Sequence, residues 1–106
     1  MSGITPTQLT LRHLRALGYT AAVVEHWNAF TRTRHDLFGF IDVIAVKGAE
    51  TLAVQTTSAT NVSSRVRKIG DSPNIGAIRE AGWGIVVHGW AKKSNRWTLH
   101  RCVDCS

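Results

Sequence analysis

Two apolar segments separated by a few polar residues constrain this chain more than any other feature. Ile41-Asp42-Val43-Ile44-Ala45-Val46 is followed by Lys47-Gly48-Ala49-Glu50 and then by Thr51-Leu52-Ala53-Val54-Gln55-Thr56-Thr57-Ser58. The polar tetrad with its glycine reads as a hairpin turn, which predicts paired strands at about residues 41–47 and 51–57. Both faces of the first strand are apolar, with Ile41, Val43 and Ala45 against Ile44 and Val46. Such a strand should lie centrally in its sheet.

The flanking segments supply the remaining elements. Thr5-Pro6-Thr7-Gln8 is a helix start, with Thr5 as cap, Pro6 at the first helical position and Gln8 closing a capping box. Leu9, Leu11, Leu14 and Leu17 spread over one broad side, Arg12 and Arg15 face away, and Gly18 is the stop. Tyr19 to Trp27, with Ala21-Ala22-Val23-Val24 inside it, reads as a strand, and Asn28 to Phe40 as a polar, basic connection. Thr60-Asn61 caps a second helix in which Val62, Val66 and Ile69 recur at i, i+4 and i+7, and Gly70 ends it. Ser72-Pro73 opens a short third helix carrying Ile75 and Ile78, stopped by Gly82. Gly84 to Trp90 is a strand, Ala91 to Arg96 a basic turn, and Trp97 to Val103 a last strand. The order α-β-β-β-α-α-β-β predicts an α/β sandwich around one mixed sheet, with residues 1–106 forming one domain.

Thirteen Lys and Arg against seven Asp and Glu leave a net charge of +6 and a pI near 10.2. That excess favours a polyanionic partner, nucleic acid being the commonest; the plainer alternative is a basic surface with no partner. No apolar run approaches the roughly 20 residues that span a bilayer. Met1 to Thr10 has no basic region followed by an apolar core, so no secretory signal is expected. The two cysteines, Cys102 and Cys105, form no disulfide framework, and a cytoplasmic protein is the expectation.

Side chains alternate along a strand, so Gln55 and Thr57 share a face and Thr56 turns away. Asp42, at the start of the neighbouring strand, reaches the same point. Mg²⁺ takes hard oxygen ligands and keeps several waters, so one carboxylate, one side-chain carbonyl and a backbone carbonyl would make a thin protein share of its shell. Such a metal polarises a phosphate and lowers the pKa of an attacking water. The alternative for Asp42 is a strand-end acceptor of loop amides.

Leu17-Gly18-Tyr19, Ala22-Val23-Val24, Ile41-Asp42-Val43-Ile44-Ala45 and Leu52-Ala53-Val54-Gln55-Thr56-Thr57-Ser58 resemble the PD-(D/E)xK nuclease superfamily, and within it the Holliday-junction-resolvase-like and phage-borne members. The stretch from Arg34-His35-Asp36-Leu37-Phe38-Gly39-Phe40 through Asn61 and Arg65 to Lys68-Ile69 is similar to small phage-type nucleases of this group. The similarity covers most of residues 8–70 in short, degenerate motifs. It implies a restriction-endonuclease-like fold, with helices flanking a central mixed sheet. It also implies a Mg²⁺- or Mn²⁺-dependent endonuclease, a homodimer, and branched or structured DNA as substrate, in a cytoplasm that would be a host's if the chain is phage-encoded.

In that resemblance Asp42 falls on the family's metal-binding Asp, Gln55 on its acidic second ligand and Thr57 on its lysine, while the Glu that many members carry on the first helix is missing. A neutral Gln holds Mg²⁺ less well than a carboxylate. Thr57 cannot place a positive charge beside a scissile phosphate. Substitutes exist. Glu25 can replace the helix acid, Asp36 can add a carboxylate if Leu37-Phe38-Gly39-Phe40 folds back, and Lys68 or Arg65 can bring a cation. The plainer readings are a solvated strand-end Glu25, a turn-capping Asp36, and phosphate contacts on the second helix.

Basic residues cluster as Arg32/Arg34/His35, Arg65/Arg67/Lys68 and Lys92/Lys93/Arg96, with Trp27, Trp90 and Trp97 near the first and third. Phosphate neutralisation and stacking on unpaired bases suit a structure-selective or nonspecific binder; core packing is the alternative for each Trp. Cys102-Val103-Asp104-Cys105 would need His88 and His100 to complete a zinc site. Two further functions stand beside the nuclease: a degenerate nuclease-fold module that binds nucleic acid without cutting, and a subunit whose basic face meets an acidic protein.

Overall fold

The computed structural model describes residues 4–106, so the first residues of the stretch read for a secretory signal lie outside the described residues. Helix α1 (Pro6–Ala16) begins as its residues dictate. Thr5 Oγ1 accepts from the Gln8 amide and Gln8 Oε1 accepts from the Thr5 amide, each at 3.2 Å. This capping box satisfies donors that a helix's first turn cannot. Gly18, at φ 94°, provides the left-handed residue after Leu17.

The strand expected over 19–27 breaks in two. β1 (Thr20–Val23) pairs with β4 (Val43–Lys47), and the last ladder bond runs from Val24 N to Asp42 O at 2.9 Å. β4 offers no backbone beyond that point, because Leu37–Ile41 closes on itself as a turn, with Ile41 N donating to Leu37 O at 2.9 Å. The chain after Glu25 therefore forms its own antiparallel hairpin, with β2 (His26–Asn28) taking the end of the expected strand and β3 (Thr33–His35) lying inside the expected polar, basic connection.

β4 and β5 (Glu50–Ser58) form the expected hairpin, turning at Gly48. β6 (Gly84–Lys93) runs parallel to β5, and β7 (Arg96–Asp104) antiparallel to β6. The sheet order is β1-β4-β5-β6-β7, five strands in a mixed sheet beside the two-stranded hairpin, so β5 rather than β4 is the middle strand. The last turn is only Ser94-Asn95, both at positive φ, and the strands run further into the basic segment than the sequence suggested. Asn61 precedes helix α2 (Val62–Gly70), but its side chain donates to Ser58 Oγ at 3.0 Å instead of capping.

α1 covers one sheet face over Leu14, Ala21, Val43, Ala45 and Val54. α2 and α3 (Ile75–Glu80) cover the other over Ala53, Val62, Ile69, Ile75, Ile78, Ile85 and Val87, joined by Phe40 and Ile41 from the closed turn. Burying each large aliphatic chain stabilises by about 1.5–3 kcal/mol. Gly89 sits under the start of α2. A Cβ there would overlap the Val62 side chain and stand 3.2 Å from Ala59 Cα, so a bare backbone lets α2 press on β6. No helix among the described residues is long and apolar enough to cross a membrane.

Candidate metal and phosphate site

Few polar side chains are buried, and they congregate. Asp42, Gln55, Thr56 and Thr57 lie where β5 ends beside the start of β4, and Thr10 and His88 lie beneath α1. Asp42 is only 3% exposed. Its Oδ2 accepts from Thr56 N at 2.8 Å, from Gln55 Nε2 at 2.9 Å and from Thr56 Oγ1 at 3.3 Å. All the protein donors that reach Asp42 fall on Oδ2, which leaves Oδ1 without one among the described residues.

Two further carboxylates come to meet it. Glu25 follows the end of β1, one residue beyond the last rung of the ladder. Asp36 opens the Leu37–Ile41 turn, in which Gly39 N donates to Asp36 O at 3.0 Å and Gly39 adopts φ 85°. Phe40, 1% exposed, anchors that turn in the core, so the fold-back that would bring Asp36 to Asp42 does occur. One oxygen each from Glu25, Asp36 and Asp42 lie within 4.8 Å of one another, the one such His, Cys, Asp or Glu group among the described residues. Cys102, Cys105, His88 and His100 form no comparable group.

Burial pushes the Asp42 carboxyl up to about 8 against the Thr56 amide, which lowers it; the charges of Asp36 and Glu25, and a carboxyl–carboxyl bond to Glu25, raise it further. Without a cation, the cluster therefore holds a proton at neutral pH. Gln55 adds a second unsettled group. Its Nε2 is committed to Asp42, while its Oε1 is buried with no hydrogen-bond partner. A buried acceptor left unpaired costs about 1–3 kcal/mol, and a cation is one partner that would settle it.

These residues line a groove of about 550 Å³ together with Thr7, Thr57, Arg34 and Arg65. Lys68 Nζ stands 3.6 Å from Asp36 Oδ2, and Arg34 reaches Glu25 at 4.0 Å. The Nε of Arg65 is buried without a partner. Arg32 lies at the β2–β3 tip and Arg67 is exposed on α2. Lys92, Lys93 and Arg96 flank the β6–β7 turn; none of these five lines the groove. Because β5 and β6 are parallel, with Ser58 opposite Trp90, Lys92 and Lys93 extend past the same sheet end as the acids.

The expectation that Thr56 turns away from Asp42 is overturned. Asp42 sits just before the start of β4, where its carboxylate reaches the Thr56 amide and hydroxyl as well as Gln55. Thr7, which sequence reasoning missed, lies 3.0 Å from Thr56 Oγ1 and donates to Glu25 Oε1 at 3.2 Å. The signal was present: Thr7, Thr10 and Leu14 share one face of α1, so threonines occupy a stripe that should be apolar. Thr10 is fully buried, accepts from Trp90 Nε1 at 2.8 Å and bonds His88 Nδ1 at 3.1 Å. Burial, with the charge of His13, holds His88 down at about 4. Trp90 is buried, as the core-packing alternative had it, whereas Trp27 is 60% exposed.

No protein-family model matches the chain, and no curated protein does.

Proposed function

We propose that the groove binds a divalent cation and hydrolyses phosphodiester bonds of nucleic acid, on a restriction-endonuclease-like scaffold whose lost acid and lysine are replaced from outside the two central strands. The observation that carries this is the convergence of Glu25, Asp36 and Asp42 beside the unpartnered Oε1 of Gln55. All four donors are hard oxygens, the set that Mg²⁺ and Mn²⁺ take. Glu25, Asp36, Asp42 and Gln55 are the residues that would hold such an ion. When bound, such a cation draws electron density from a phosphate and acidifies a water.

The chain's own groups have defined tasks. Asp42 and Gln55 would hold the ion from the sheet, and Glu25 and Asp36 would hold it from the loops. A carboxylate oxygen of Glu25 or Asp36 that does not face the ion takes the proton of the attacking water as that water's oxygen bonds phosphorus, and solvent protonates the departing oxygen. Lys68 and Arg65 offset the charge that gathers on the phosphate as its bond to the leaving oxygen breaks. Thr57 lines the groove and offers a hydroxyl to phosphate or water. The net charge of +6 and the basic residues at the same sheet end draw in the polyanion. Branched or structured DNA as the substrate, and a homodimer as the working form, rest on the resemblance to resolvase-like nucleases.

The test is nicking of branched DNA with Mg²⁺ or Mn²⁺, which Asp42→Ala should abolish. Equal activity in that variant would sink the assignment. DNA binding without cleavage in any divalent ion would select the binding module instead.

A further inference from the structure

The β2–β3 hairpin packs little into either core, yet it is heavily braced. Asn28 Oδ1 accepts from the amides of Phe30 at 3.0 Å and Thr31 at 3.3 Å. The hydroxyls of Thr31 and Thr33 lie 2.6 Å apart, Thr33 Oγ1 lies 2.9 Å from His35 Nε2, and the rings of His26 and His35 stack at 5.4 Å. Such bracing shapes a protrusion ahead of any binding. What it presents is two aromatic rings in water: Phe30 at the tip is 100% exposed and Trp27 60% exposed.

Register decides where Trp27 points. Trp27 is the cross-strand partner of Arg34, so the two side chains leave the hairpin on the same face. Arg34 lines the groove and reaches Glu25. Trp27 therefore shares the face of the hairpin from which Arg34 reaches the groove, just outside the residues that line it. Residues 26–35 include Arg32 and Arg34 and no carboxylate.

We propose that this hairpin is a stacking wall for unpaired nucleobases, with Trp27 and Phe30 as platforms and Arg32 and Arg34 on the adjoining phosphates. An exposed aromatic beside cations, on a hairpin that carries no acid of its own, is the chemistry of single-strand binding. Duplex bases offer no free π-face, so the wall selects flaps, gaps or frayed junctions over intact duplex and sets them beside the carboxylates. The inference rests on nucleic acid being the groove's ligand, as proposed above.

The experiment uses the whole chain in EDTA, where no cutting occurs, with labelled duplex and flap DNA of equal length and 2-aminopurine at the unpaired position. Wild type should prefer the flap and change the 2-aminopurine signal. Trp27→Ala and Phe30→Ala should each weaken flap binding by roughly 10-fold and leave duplex binding unchanged. Trp27→Phe should restore the preference. Variants that lose duplex and flap binding equally, or that behave as wild type, would overturn the wall. A chain that prefers flaps but never nicks DNA with Mn²⁺ keeps the wall and loses the nuclease; one that nicks, with both variants unchanged on flaps, does the reverse.

Discussion

Asp42→Asn should make the protein more stable in the absence of metal and deaf to metal. Two full charges 4.8 Å apart repel by about 3.5 kcal/mol at an effective dielectric constant near 20, and the cluster contains three carboxylates. The fold avoids that cost by keeping Asp42 protonated up to about 8. The folded value lies above the unfolded one, near 3.9, so the native state binds the extra proton between them. Stability from this group is greatest at the acid end of that window, falls as pH rises through it, and levels off above about 8. Between pH 7 and pH 8 the loss is about 1 kcal/mol, or a Tm drop of about 4–8 °C. His88 does not confuse the comparison of pH 7 with pH 8, because its contribution varies below its unfolded value, near 6.5. Asn keeps an oxygen for Gln55 and the Thr56 amide and brings no charge. Thermal melts in EDTA at pH 7 and pH 8 should show the drop in wild type and not in Asp42→Asn, which is the more stable at pH 8. Mn²⁺ at 100 times its Kd should raise wild type by about 2.7 kcal/mol and leave the variant unmoved. Equal pH slopes, or equal gains from Mn²⁺, would refute the reasoning.

Gln55→Glu replaces an unpaired acceptor with a fourth carboxylate and removes the amide donor to Asp42; calorimetry should find tighter Mn²⁺ binding and melts in EDTA a lower Tm. Lys68→Met should cut the nicking rate at least about 10-fold if Lys68 offsets phosphate charge, while Tm moves little, since a half-exposed pair contributes at most about 1 kcal/mol. His88 has a depressed folded value, so its contribution is complete above about 6.5 and is lost as pH falls toward about 4. In the Asp42→Asn background, which removes the opposing carboxyl, melts between pH 7 and pH 4.5 should show a loss that His88→Phe reduces.

Local signals carried much of the fold. The capping box at Thr5 and Gln8, the Gly48 hairpin and the apolar spacing in α2 each depend on residues a few positions apart, and each formed as read. The break after Val23 was not legible, because it depends on where β4 ceases to offer a partner, at Asp42, 19 residues further along. Thr56 was misplaced for a related reason. Strand alternation orients a side chain relative to its own strand, whereas Asp42 at a strand end reaches the neighbouring backbone amide and both flanking side chains.

Composition and spacing alone determined that this chain builds an α/β layer with a basic surface and an acid at the mouth of an apolar strand. Periodicity and charge are properties of neighbouring residues, and they survive without a fold. Which acids join Asp42 was decided only in three dimensions. Glu25 arrives because β1 ends beside β4, and Asp36 arrives because Phe40 is drawn into the core and Gly39 bends left-handed. Burial raises Asp42 and their closeness raises it further, and no stretch of sequence contains either effect, since both come from folding the carboxyls together out of water.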